Sequence, residues 1–291
     1  MFKKNSVKQQ FVDITGASSA TALKFLDSNN YNLQRAVDAY FNSPSSKKSL
    51  APVFDKALVA IFENYRDEDN ESQIDINGTM QYLEDLEIEP EDPQSLTLAF
   101  FLHSPRMGVF LKSQFLKQWQ QYGINSIDGM KKFLAQYHES LLYNEENFYE
   151  ENSNLGYGKK EPVTFKKLYD FTFDFLMEVE NQKLLDYQTA IDYWTLLLPL
   201  VVNTAVKDGS LQPDKRATVE SRIEQWFEFV RNEYKRSFLK DSWSMFYLFF
   251  KDIIIKDPEK FTDYDEMAAW PSVMDEYFEY LRENELLEEL V

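Results

Sequence analysis

The sequence predicts an all-α protein in two parts, a small three-helix bundle followed by a larger helical domain. Apolar residues recur at helical spacing along most of the chain, and sustained β alternation with hairpin turns is hard to find. The segment from Asn42 to Pro52 is small, polar and proline-bearing, as expected of a boundary. The charge also changes sign near it: residues 1–60 carry eight Lys/Arg and four Asp/Glu, while the chain as a whole has a net charge of −18. These features divide the chain into a bundle over 6–43, a linker over 44–56, a main domain over 57–284 and an acidic tail over 285–291.

Each element follows from local pattern. Val7, Gln10, Phe11 and Ile14 share one helix face, and Gly16 ends it. Ser18 or Ser19 caps a second helix filled by Ala22, Leu23, Phe25 and Leu26. Asn32 caps a third, with Leu33, Ala36, Val37 and Tyr40 inward. After the linker, Leu58, Ile61, Phe62 and Tyr65 recur at i, i+3, i+4, i+7. Helices are then predicted over 78–86, 95–102, 111–122, 127–142, 165–179, 187–198, 219–234 and 243–255. A last helix over 272–290 follows Pro271, a residue suited to a first turn. The polar segments 143–161 and 203–216 read as solvent-exposed insertions.

Composition excludes whole classes of function. None of the 291 residues is cysteine, so there is no disulfide framework, thiolate metal site or cysteine nucleophile. Two histidines make a zinc site a poor expectation. With 49 acidic against 31 basic residues, phosphate backbones would be repelled, so no nucleic-acid partner is expected. The lysines of Met1 to Gln10 have no apolar stretch behind them. The longest apolar run, Leu196 to Val202, is far short of the roughly 20 residues of a spanning helix. The expectation is a soluble intracellular protein of cytoplasm or nucleus with no membrane partner.

Three local patterns bear on chemistry. Asp67, Asp69, Glu71 and Asp75 alternate between two helices with Ile74 at the eighth position, as in an EF-hand loop. Ser72 stands where the turn glycine belongs, and Gly78 stands where the bidentate glutamate belongs. The expectation is EF-hand geometry without metal, so a calcium regulator is a weak alternative. His103, beside Ser104 and Pro105, and His138 have no nucleophile signature around them and read as cap or surface residues. From Tyr264 to Tyr280, Asp265, Glu266, Asp275 and Glu276 surround Ala268, Ala269 and the Trp270–Pro271 step. That segment is either a solvated helix end over a core tryptophan or an acidic rim around a shallow apolar spot for a basic partner.

The order of several motifs resembles a known family. KRSFLKDSW over 235–243, YDE over 264–266 and AWP over 269–271 look like the PONY domain of the defective-in-cullin-neddylation proteins. So do LYDFTFDF over 168–175 and AIDYW over 190–194. The likeness runs from about Ala57 to Leu281, and the N-terminal unit is similar to the UBA-like domain that precedes PONY in many members.

The resemblance implies a scaffold-type ligase with no catalytic residue, cofactor or metal of its own. Such a protein binds the conjugating enzyme charged with the Nedd/Rub ubiquitin-like modifier, and it also binds the C-terminal domain of the cullin that receives it. The alternative is a non-catalytic ubiquitin-type adaptor. The family's cullin-binding trio falls on Asp241, Ala269 and Asp275. Its pocket for the acetylated N-terminal methionine of the conjugating enzyme falls on Thr79, Ser95, Leu96, Leu98, Ala99 and Leu102. Phe110, Phe175, Tyr193 and Leu196 complete the lining, with Asn77 and Met107 at its edge. Thr79 and Ser95 depart from the aliphatic pattern, which bears on pocket shape and peptide preference. Phe110, Phe175 and Leu196 would serve equally as plain core. In the N-terminal unit, Thr15–Gly16–Ala17 replaces the usual Met-Gly-aromatic loop, so only weak ubiquitin binding is expected. Its residues would be Ile14, Thr15, Gly16, Tyr40 and Phe41.

Overall fold

A computed structural model describes residues 7–8, 11–12, 15, 19–41, 43, 54–143, 148–151, 160–177, 179 and 182–287. The chain separates into two compact units, Met1–Phe54 and Asp55–Val291.

In the first unit, residues 7, 8, 11, 12 and 15 are helical, followed by α1 (Ser19–Ser28) and α2 (Leu33–Phe41). Asn32 accepts the Arg35 N–H at 3.1 Å, which satisfies a free donor in the first turn of α2. Phe11, Ala22, Leu26, Ala36 and Tyr40 form the enclosed core, and Phe11, Phe25 and Tyr40 pack ring against ring.

The second unit is built from two pairs of helix–loop–helix units. In the first pair, α3 (Lys56–Tyr65) leads through β1 (Gln73–Ile74) into α4 (Ile76–Asp85). Then α5 (Pro93–Phe101) leads through β2 (Phe110–Leu111) into α6 (Lys112–Gln121). The two loops join as an antiparallel ladder, Gln73 opposite Leu111 and Ile74 opposite Phe110. Asp55, Asp75 and Asp92 cap α3, α4 and α5 through their carboxylates. Helix α7 (Ile127–Leu142) packs across α5, and β3 (Tyr149–Glu151) pairs with β4 (Lys160–Pro162).

The second pair repeats the plan. Helix α8 (Phe165–Phe175) leads through β5 (Leu184–Leu185) to α9 (Tyr187–Asp208). Helix α10 (Arg216–Phe229) runs into a π-turn, Val230–Tyr234, and then through β6 (Phe238–Leu239) to α11 (Lys240–Phe249) and a second π-turn, Phe250–Ile254. Leu184 lies opposite Leu239 and Leu185 opposite Phe238. Helix α12 (Ser272–Glu283) closes the domain. At its centre Trp243 stacks on both Tyr169 and Trp194, at 4.7 and 5.2 Å. The polar edges of these rings are satisfied: Trp194 Nε1 donates to the Tyr169 hydroxyl at 2.7 Å, and Trp243 Nε1 donates to the Tyr169 carbonyl at 2.9 Å.

The paired EF-hand-like subdomains agree with the predicted fold class. The segment 203–216 does not form the expected loop. Helix α9 continues through Pro199 to Asp208 and ends at Gly209, whose φ of +81° suits a C-terminal cap. Burial of Val201, Val202 and Ala205 favours continuation despite the hydrogen bond that Pro199 removes. This 22-residue helix is long and apolar enough to cross a membrane by length and composition. Here its apolar face, including Trp194, Leu197 and Leu198, packs inside the domain. The segment 143–161 is likewise not all solvated. Phe148 packs against Tyr122, Phe133 and Tyr137, and residues 149–151 are paired in the hairpin.

Candidate functional site

A cleft of about 510 Å³ opens between the two helix–loop–helix pairs of the second unit. Helix α4 supplies Ile76, Thr79, Met80 and Leu83, an i, i+3, i+4, i+7 stripe. Helix α5 supplies Ser95, Leu96 and Ala99. The loop before β2 adds Met107 and Gly108, β2 adds Phe110, α8 adds Phe175, and α9 adds Tyr193 and Leu196. The left-handed Gly108 (φ +71°) lets this loop close onto α4, because an added Cβ would lie 2.5 Å from Ile76 Cδ1.

The hydroxyls in the wall are directed into the protein. Thr79 Oγ1 donates to the Gly108 carbonyl at 3.1 Å, Ser95 Oγ to the Pro90 carbonyl at 2.8 Å and Thr195 Oγ1 to the Ile191 carbonyl at 2.9 Å. Ser104 Oγ has the carbonyls of Arg106 and Val109 both at 2.7 Å for its single proton. With these protons engaged, the hydroxyls offer a ligand lone pairs rather than donors. Tyr193 does carry a hydroxyl proton, and burial, with a contribution from Asp192, pushes its pKa up.

The lining includes Thr79, Ser95, Leu96, Ala99, Met107, Phe110, Phe175, Tyr193 and Leu196, all named from the sequence. Three others lie elsewhere. Leu98 and Leu102 are fully enclosed on another face of the α5 region, because a helix turns about 100° per residue. Asn77 is exposed and its amide contacts Asp75 at 3.3 Å. The sequence reading missed Ile76, Met80 and Leu83, although their spacing signals one face. It also missed Pro90, Glu91, Ser104, Gly108, Asp192 and Thr195, which only the packing of separate elements brings to the cleft.

A second region gathers around the start of α12. Asp275, in its first turn, accepts a hydrogen bond from the Tyr264 hydroxyl. Burial and the adjacent carboxylate raise the Tyr264 pKa. Trp270 is held edge-on against Phe249 at 5.7 Å, leaving Ala269 exposed. Asp241 is exposed in the first turn of α11, which packs on α12. It lies eight residues from Phe249, about 12 Å along the helix. Glu276 pairs with Arg236 and Glu266 with Arg282. Neither Asp241 nor Asp275 has an ion-pair partner among the described residues.

In the EF-hand-like loop, Asp67 and Asp75 bond to groups of the loop and the helix that follows, and Glu71 pairs with Arg66. Asp67 accepts the Asp69 N–H at 2.8 Å and the Gln73 amide at 3.0 Å, bonds that lower its pKa. Asp75 accepts the Gly78 N–H at 2.9 Å. A Cβ at Gly78 would come within 1.9 Å of the Tyr65 carbonyl oxygen, so the twelfth position cannot hold a glutamate in this packing. Among the described residues, no group of three or more His, Asp or Glu side chains is placed to hold a metal ion.

His103 is exposed in a left-handed conformation after α5. His138 is not a surface residue of the expected kind: its Nδ1 lies 2.7 Å from Thr97 Oγ1, and burial lowers its pKa. In the first unit, Thr15 is buried and donates to the Phe11 carbonyl at 2.6 Å, while Tyr40 is wholly enclosed. A ubiquitin contact through those two side chains would require opening the small core. Ile14, Gly16 and the Phe41 side chain lie outside the described parts.

A family model described as cullin binding matches residues 129–280, and one described as a UBA-like domain matches residues 9–47. The chain is 45% identical to "Defective in cullin neddylation protein 1" of Candida albicans, across 99% of this chain and 100% of that protein. It is 31% identical to the protein of that name in Yarrowia lipolytica, across 94% and 95%. For the Saccharomyces cerevisiae protein the figures are 28%, 95% and 93%.

Proposed function

The chain belongs to the defective-in-cullin-neddylation family, and on that premise we propose that it serves cullin neddylation as a scaffold-type ligase. It would hold a cullin and the modifier-charged conjugating enzyme together. The observation that carries this reading is the presence, on one domain, of two chemically distinct surfaces. One is a largely apolar cleft whose Thr79, Ser95 and Thr195 hydroxyls bond to the protein, and the other lies near the start of α12, which carries the half-buried Asp275 just after the exposed Ala269 and packs on α11, whose first turn exposes Asp241.

The cleft suits an apolar N-terminal side chain behind an acetylated amine. A free ammonium would lose water there without gaining a buried counter-charge, whereas the acetylated nitrogen is neutral and still donates one hydrogen bond. The lone pairs presented by the wall can accept it. At the second surface, Asp241 and Asp275 would receive basic side chains of the cullin, and Ala269 leaves room for close approach. The sequence contains no cysteine, so the thioester would stay on the conjugating enzyme.

Rate enhancement then comes from position. Holding the acceptor lysine and the thioester in one complex replaces a bimolecular encounter with an intramolecular one and limits their orientations. The test is a single-turnover transfer of the modifier to a cullin, with and without this protein, using acetylated and unacetylated conjugating enzyme. Faster transfer that depends on both the protein and the acetyl group is expected. Unchanged transfer would leave an adaptor that binds without accelerating.

A further inference from the structure

The cleft carries two carboxylates that its apolar character does not require. Glu91, in the turn before α5, and Asp192, on α9, both border it. Both are exposed, and neither has an ion-pair partner among the described residues. Asp192 accepts a neutral amide, that of Gln188, at 3.0 Å. The carboxylates come from two separate elements, one on each side of the packing that forms the cleft. Thr79, Ser95, Ser104 and Thr195 in the wall have engaged hydroxyl protons and present acceptors, Tyr193 keeps a hydroxyl donor, and the charged side chains of the lining are both carboxylates.

We infer that Glu91 and Asp192 select the polypeptide entering the cleft by binding a lysine or arginine that follows its apolar first residue. The inference rests on the proposed use of the cleft for an acetylated N-terminus and specifies its occupant further. An apolar side chain fills the interior. The chain then leaves past the carboxylates, where a basic side chain meets unpaired negative charge in partly solvated surroundings. An acidic side chain there would be repelled. Exposed charges of this kind discriminate modestly and act strongly on encounter rate, and their effect weakens with salt.

The probes are short peptides that begin with acetylmethionine and carry a single lysine at the second, third, fourth or fifth position, or glutamine at all of these. Binding is measured by fluorescence anisotropy at low and high salt. One lysine register is expected to bind the full-length protein about three- to tenfold more tightly than the glutamine peptide. The advantage should shrink with salt and disappear in the Glu91→Gln/Asp192→Asn variant. Each single variant should remove part of it, which gives a second route if the double variant does not fold. Glu224→Gln/Glu228→Gln takes the same charge from α10, which does not line the cleft, and should keep the advantage.

Equal affinity for lysine and glutamine peptides would overturn the inference while leaving the acetyl-binding reading intact. So would a lysine advantage that survives the Glu91/Asp192 variant or falls equally in the α10 control. Equal binding of acetylated and free-amine glutamine peptides would instead overturn the reading of the cleft, and absence of all binding would overturn both.

Discussion

The two loop-paired halves of the main domain use one device to different ends. In each, a two-residue ladder turns one opposed pair inward: Ile74 with Phe110 in the first half, Leu185 with Phe238 in the second. The outer pair differs. Gln73 lies opposite Leu111 in the first half, and Gln73 is tied to Asp67. Leu184 lies opposite Leu239 in the second, and these two are 51% and 53% exposed. The interiors differ too. The second half centres on three tryptophans, Trp194, Trp226 and Trp243, packed with Phe246, whereas the first centres on Trp119 packed among phenylalanines and tyrosines, including Phe62, Tyr82, Phe101 and Phe115. A shared scaffold therefore yields two aromatic cores, the second the richer in tryptophan, and a binding-sized opening between them lined by Leu96, Ala99 and Phe110 from the first half and Phe175, Tyr193 and Leu196 from the second.

The largest expected effect probes the second of these cores. Phe238→Ala should cost about 3–5 kcal/mol, because it removes a fully enclosed ring packed edge-on against Trp194 at 5.0 Å. Leu239→Gln, the next residue on the same strand, should change stability by no more than ~0.5 kcal/mol. Denaturant unfolding followed by tryptophan fluorescence checks both, and similar losses would deny that the ladder has one buried and one solvated side.

The next effect tests the opening. Ala99→Phe should weaken binding of an acetylmethionine peptide by tenfold or more, about 1.4 kcal/mol. The added ring enters the cleft rather than the packed core, so cullin affinity in the same preparation should stay close to that of the parent protein. An unchanged peptide affinity in calorimetry would place the peptide elsewhere.

A smaller, complementary effect is expected at the start of α12. Asp275→Lys reverses a charge and should reduce cullin affinity severalfold to tenfold while leaving peptide binding in the cleft intact. The substitution also removes the Tyr264 hydrogen bond and places a cation in a first helical turn, where a stability cost of ~0.3–1 kcal/mol is expected. Tyr264→Phe removes that hydrogen bond but keeps the carboxylate, so it should bind cullin nearly as the parent does. Equal loss in both variants, measured by calorimetry, would assign the effect to local structure rather than charge.

Much of this was legible in the sequence because helices are specified locally. The i, i+3, i+4, i+7 stripes marked the helices, and Asn32 marked a cap without reference to distant residues. The polar composition of 203–216 misled because burial of Val201, Val202 and Ala205 carries α9 beyond Pro199. Within the cleft, the register identified Leu96 and Ala99 but also took Leu98 and Leu102, whose position around the α5 region turns them into the core.

By itself the sequence determined the all-α class, the reversal of charge along the chain and the absence of any cysteine to carry a thioester. Its ordered motifs also pointed to the family. Tertiary structure decided which side chains share a space. It brought Phe175, Tyr193 and Leu196 to face α4 and α5, closed the Gly108 loop on Ile76, and left Glu91 and Asp192 at the border without an ion-pair partner among the described residues, while other carboxylates found cations. The physical reason is range. Backbone hydrogen bonding and helical periodicity operate within a few residues, whereas a cleft and its electrostatics depend on how separately formed helices dock.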